Sequence, residues 1–293
     1  VGFFTQDMVS AIGITSGAIS TSGAGSPGVA ALDSGPININ STAGLISTSG
    51  TGSAGIFSMS KTQDGTNDIV AGPINTTGGG AIGIAAAALS SPVSPTPSAS
   101  LSIQSNGAIV ASGPDAGGIV AVGFATNHLT SGPVTVVANN NITATGDNSV
   151  GIAAASGTGH VQVEVSPGVS VMGGFSSTPG ALSTQASTFG FDGESIGGNL
   201  PAAGIVVYSG ATSSSPAMTI VNHGFVGALN DRAITMGFAC ASENGADFPG
   251  QDPCVSGMPP IQQLQVENQG TITGYVTFLP GAPHVFDNAG LFD

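Results

Sequence analysis

The chain has 293 residues, a formal net charge of −14 and only two cations, Lys61 and Arg232. Two cations cannot replace the counterions on a nucleic-acid backbone, so nucleic-acid binding is excluded as a class. A charged fraction of 6% is too low for a helical bundle, and a hydrophobic fraction of 40% is too high for charge-driven disorder. Gly, Ser and Pro interrupt every apolar run before it reaches the ~20 residues of a membrane span.

Along the chain, Gly2-Phe3-Phe4 reads as a strand, and Ile12 with Ile14 reads as a second. From there one phrase recurs. GAISTSG (17–23), GLISTSG (44–50), GPINTTG (72–78), GAIVASG (107–113) and NNITATG (140–146) carry Ile at the third position. Two residues later stands Thr or Ala: Thr21, Thr48, Thr76, Ala111, Ala144. Each phrase closes on Gly, and a second Gly follows at 28, 55, 83, 118 and 151. A β-branched residue comes next: Val29, Ile56, Ile84, Ile119, Ile152. A third apolar run lies between successive phrases: ININ (37–40), NDIV (67–70), LSIQ (101–104), VTVV (134–137) and VQVEV (161–165). It returns as MTIVN (218–222), LQVEN (264–268) and HVFDN (284–288).

Each unit is therefore three short strands of period two, separated by Gly, Asn and Ser turns. Equivalent residues of successive units stack at the ~4.8 Å strand spacing. A β-sandwich has no need to repeat one Gly-to-Gly phrase in phase. The pattern predicts an all-β fold, a right-handed parallel β-helix with three short strands per coil and loop insertions, as one domain over 1–293. Inward positions are expected to form ladders of Ile, Val, Ala and Thr. Outward positions carry Ser, Thr, Asn and Gly, and Gly serves corners that need φ > 0.

Two long inserts break the rhythm. Residues 175–203 separate the first and second strands of one coil, and 238–263 fill the longest gap between a second and a third strand. Corner loops on a regular rod are where recognition is expected. Cys240 and Cys254 fall in the second insert. Two thiols make a poor zinc site, so a local disulfide and an oxidising compartment are expected, against the alternative of two unpaired thiols.

GAISTSGAGSPGVAA, GLISTSGTGSAGIFS and NNITATGDNSVGIAAA resemble coils of bacterial autotransporter passenger domains. VENQGTITGYVTFLPGAPHVFDNAGLFD (266–293) is the more specific match. Its N-x-G-x-I-x-G-x-V phrase, followed by F-D-N-x-G, is similar to repeats of large autotransporter-like surface proteins of Gram-negative bacteria. The resemblance implies export across the outer membrane and display as a structural or adhesive rod outside the cell. The in-phase repeat, the variable corner loops and the lack of a catalytic constellation point to attachment, aggregation or filament formation, with a glycan or other surface ligand as the expected partner.

Many β-helix proteins cleave polysaccharides, which sets an alternative reading as a lyase or hydrolase. Hydrolysis needs two carboxylates held across one bond. The closest pairs are Asp64/Asp68 and Asp192/Glu194, and neither recurs at coil spacing. An enzyme is accordingly not expected. Arg232 follows Asp231 and reads as a local ion pair or turn residue. His128, His160, His223 and His284 lack metal-ligand spacing, and the calcium nonapeptide is absent, so no metal or cofactor is expected. Asn222, Asn268 and Asn288 share one corner position and read as a stacked amide ladder. Both ends of the chain fall inside coils. The open coils are expected to be covered, by more of the same polypeptide or by a second copy stacked head to tail.

Overall fold

A computed structural model describes residues 3–7, 11–33, 35–61, 65–90, 99–125, 131–175, 184–191, 194–211, 216–236, 246–247, 262–279 and 282–293. It is a parallel β-helix. The third strands of the units form a nine-stranded parallel sheet running from Ile12–Thr15 to Val285–Asn288. The first and second strands form two further stacks. These join into one 16-stranded sheet because Phe225–Met236 runs through the corner and pairs with both Ser170–Gly173 and Ala203–Ser209. Thr271–Thr277 pairs along the same strand in both stacks. We call the three stacks the first, second and third faces, after their order in the repeat.

The register is the one the repeat demands. Ile19 pairs with Ile46, Ile46 with Ile74, Ile74 with Ile109 and Ile109 with Ile142 on the first face. Val29, Ile56, Ile84, Ile119 and Ile152 form the matching column on the second. Ile39, Ile69, Ile103, Val136, Val163, Ile220 and Val266 form it on the third. These columns meet in one continuous interior cluster. Each fully buried Ile or Val contributes about 2 kcal/mol by leaving water. A one-residue slip would turn a whole column outward, and this fixes the register.

The corner between first and second faces shows two different uses of Gly. The closing Gly of each phrase has positive φ: 121° at Gly23, 138° at Gly50, 127° at Gly78, 128° at Gly113 and 113° at Gly146. A second positive φ follows two residues on, at Gly25, Gly52, Gly80, Asp115 and Asn148. At Gly25 and Gly52 a Cβ would meet nothing within 4 Å, so Asp and Asn, which tolerate this conformation, serve in later coils. The other repeated Gly (28, 55, 83, 118, 151) does not have positive φ. Space dictates it instead. A Cβ on Gly83 would lie 2.4 Å from Ile109 Cγ2 and 2.5 Å from the carbonyl oxygen of Gly118. The expectation that corner Gly answers to φ holds for one column and not for this one.

The second face departs from the expected polar exterior. Strands of the third face up to Leu264–Asn268 alternate buried with exposed or half-buried residues, whereas Val29–Asp33, Ala54–Ser60 and Val150–Ser156 are buried at every position. Phe57, Ala85, Val120, Ala153 and Val206 form one outward row, and Leu32, Met59, Ala87, Val122 and Ala155 form another. Together they make a second hydrophobic cluster outside the barrel of the helix. Strands buried on both sides read as unbroken apolar runs, as in IGIAAAALS and GGIVAVGFA.

The 175–203 insert explains part of that burial. Thr184–Phe191 and Glu194–Pro201 form an antiparallel hairpin, and Glu194–Pro201 lies against Ile82–Ser90, Gly117–Ala125 and Val150–Ser156. Ala246–Asp247, from the other long insert, pairs with Glu194–Pro201 and completes a three-stranded sheet. The two inserts thus meet, through these strands, in one accessory sheet. Ile12 and Ile14 at one end are buried, while Phe286, Leu291 and Phe292 at the other are 37%, 60% and 46% exposed.

Candidate functional site

Among the described residues, the acidic side chains are spread over separate faces and corners. Asp68 sits on the outside of the third face, in a row with Asn38, Ser102, Thr135 and Gln162. Burial raises its carboxyl above the ordinary Asp range. Its sequence partner Asp64 lies outside the described residues, as does Asp192. Glu194 opens the inner strand of the accessory hairpin. Glu164 lies in the neighbouring row of the third face with Gln104, Val137 and Glu267. Asp115 and Asp147 belong to a corner, where the Asp115 N–H donates to the Asp147 carbonyl at 2.8 Å. Among the described residues, no three His, Cys, Asp or Glu side chains lie together as a metal site. Cys240 and Cys254, the expected disulfide, lie outside the described residues, as does His128.

Arg232 forms the local ion pair read from the sequence, with Nη1 3.4 Å from Asp231 Oδ1. Asp231 is fully buried and also accepts the Arg232 backbone N–H at 2.9 Å. Burial lowers the Arg232 guanidinium below its usual range, and the Asp231 charge works against that shift. The pair sits at a register shift in Phe225–Met236, where the strand turns the corner without a Gly phrase.

The Asn ladder is present. Asn222 Nδ2 donates to Asn268 Oδ1 at 2.7 Å, and Asn268 Nδ2 donates to Asn288 Oδ1 at 2.6 Å. The same amides reach the carbonyls of Thr271 and Leu291 at 3.1 Å. Each buried amide thereby satisfies one neighbour side chain and one corner backbone group. A second amide group lies on the same corner earlier in the chain, where Asn139 Nδ2 donates to Asn106 Oδ1 at 3.0 Å.

One buried group stands apart. Asp33 points its carboxylate into protein with 3% exposure, and neither oxygen has a hydrogen-bond partner. It shares its ladder position with Asp7 on one side and Ser60 on the other. Nothing in the sequence marks Asp33 as buried until the register of that strand is known.

Among the described residues, the sides of the stack present regular outward rows. On the first face, Ser20, Ser47, Asn75, Val110 and Thr143 form one row and Ser22, Ser49, Thr77, Ser112 and Thr145 the next. These rows carry no charge and, apart from Asn75 and Val110, present short hydroxyls at the ~4.8 Å strand spacing. No helix is long and apolar enough to cross a membrane among the described residues. No protein-family model, curated protein or solved structure matches the chain.

Proposed function

We propose that the chain is a structural or adhesive rod of the bacterial autotransporter-passenger type, exported across the outer membrane and displayed at the cell surface. The observation that carries this reading is the in-register stack. Nine strands of the third face stack in register, and the first face sets out largely hydroxyl rows over five of those coils. Such a lattice offers many weak contacts rather than one deep site, and multivalency turns weak contacts into firm attachment. Corner loops, the accessory sheet and the uncharged rows are the surfaces available to a glycan, another surface ligand or a second rod.

The test is attachment by beads densely coated with the purified chain to glycan-coated and bare surfaces, compared with beads carrying the same mass at low density. Attachment that rises more steeply than density is expected. Lys placed at Ser20, Ser47 and Thr143 should alter it without unfolding the rod. Attachment proportional to density and indifferent to face and loop variants, or turnover of a polysaccharide by the same material, would overturn the proposal.

A further inference from the structure

His284 stands one residue ahead of Val285–Asn288, the last strand of the third face. Its ring stacks on Phe278, with centroids 5.1 Å apart and planes 18° from parallel. Nε2 lies 2.7 Å from the Leu279 carbonyl oxygen, and Nδ1 lies 3.2 Å from the Leu264 backbone nitrogen. A carbonyl only accepts and a backbone N–H only donates, so the two partners fix the tautomer. Nε2 carries the proton and Nδ1 offers its lone pair. An imidazolium has no lone pair to offer and cannot satisfy both partners.

The bond to Leu264 replaces a standard element of the coil. At the equivalent point in earlier coils the first N–H of the third-face strand donates to a backbone carbonyl of the next coil. Leu101 donates to Pro133, Val134 to His160, Val161 to Ala217 and Met218 to Gln263. At Leu264 the imidazole takes the place of that carbonyl. A titratable side chain thus closes the one step of the ladder that elsewhere cannot titrate.

We propose that His284 is a pH-sensitive latch on the final coil. In the neutral form it joins Leu264–Asn268 to Val285–Asn288, and a proton on Nδ1 releases the Leu264 N–H and loosens that coil. Imidazole is the side chain that exchanges its proton between about pH 5 and 8. The ionisable groups on the elements packed around it are Glu267 on Leu264–Asn268, Asp287 on its own strand, and Tyr275 on Thr271–Thr277.

Nitrogen-15 labelling of the whole chain tests the latch. At about pH 7.5, the His284 ring signals should show a bare Nδ1 and a protonated Nε2. On acidification to about pH 5.5, exchange protection at the Leu264 amide should fall by about fivefold, the worth of one net hydrogen bond. The Val134 and Val161 amides, which donate to backbone carbonyls, should keep their protection. His284→Gln keeps one acceptor and one donor, so its Leu264 protection should not change with pH. A proton on Nδ1 at neutral pH, no loss of protection in the parent chain, or the same loss in His284→Gln would overturn the proposal. If His284→Gln fails to order the final coil, the ring signals of the parent chain decide the matter alone.

Discussion

Substituting Ala for Gly83 isolates packing from backbone conformation. Gly83 does not have positive φ, so Ala carries no conformational penalty there. Its Cβ would stand 2.4 Å from Ile109 Cγ2 and 2.5 Å from the Gly118 carbonyl oxygen, so each must retreat by about 1 Å to reach ordinary contact. Ile109 is locked in a column between Ile74 and Ile142, and the Gly118 oxygen belongs to backbone. Overpacking of this kind costs about 1–3 kcal/mol. Displacing a backbone group in a coil corner adds about 1 kcal/mol for a weakened hydrogen bond. Gly83→Ala should therefore destabilise by roughly 3 kcal/mol. Gly52→Ala is the contrast: φ is 64° with nothing within 4 Å, so it should cost only about 1–2 kcal/mol of left-handed strain. Urea unfolding followed by circular dichroism on both variants checks the order. Adding Ile109→Ala should not rescue Gly83→Ala, because the carbonyl contact remains. Equal costs for the two glycines, or full rescue, would refute the argument that crowding selects this column.

Three further outcomes follow from the same structure and a fourth from the sequence. Replacing 184–201 with a short Gly-Ser linker should uncover the row of Ala85, Val120 and Ala153, raising binding of a hydrophobic dye and concentration-dependent association; a monomeric, dye-silent product would show that the cover is dispensable. Asp33→Ser puts into this position the residue the next coil already uses, Ser60, and should stabilise the chain by about 1–3 kcal/mol in urea unfolding, whereas a loss would mean the carboxylate has a partner in solution. Asn268→Ala breaks the amide ladder in the middle and should cost about 1–3 kcal/mol, seen as faster amide exchange in Thr271–Thr277 and Val285–Asn288. Cys240 and Cys254 should be joined, with the oxidised chain about 2 Da lighter than the reduced one by intact mass, and free alkylation of both thiols without reductant would exclude the bond.

The coil architecture was legible because the interior columns repeat in sequence at the spacing at which they stack. Ile46, Ile74, Ile109 and Ile142 can be aligned by eye, and they pair in that register. The Arg232–Asp231 pair and the Asn222–Asn268–Asn288 ladder were legible for a similar reason, since each depends on neighbours in the chain or on equivalent coil positions. The outer cluster of the second face was not foreseen, although its signal was present in unbroken runs such as IGIAAAALS. A run with no polar alternate implies a cover on both sides, but it does not say which distant segment supplies it. The pairing of Ala246–Asp247 with Glu194–Pro201 joins residues with no shared motif, and periodicity carries no information about it. The role of His284 likewise depends on a ring turning toward Leu264 from twenty residues away.

A stack of coils that touch only their neighbours behaves like a zipper, able to fray from any weak point. The strand Glu194–Pro201 bridges three successive levels, 82–90, 117–125 and 150–156. Opening any one of those levels then requires the bridging strand to leave all of them. This stretch should melt as a single cooperative block, and a pulling force along the rod should meet one high rupture event there instead of a series of small steps. The segment that departs furthest from the repeat is thus the one that makes the repeat behave as a solid.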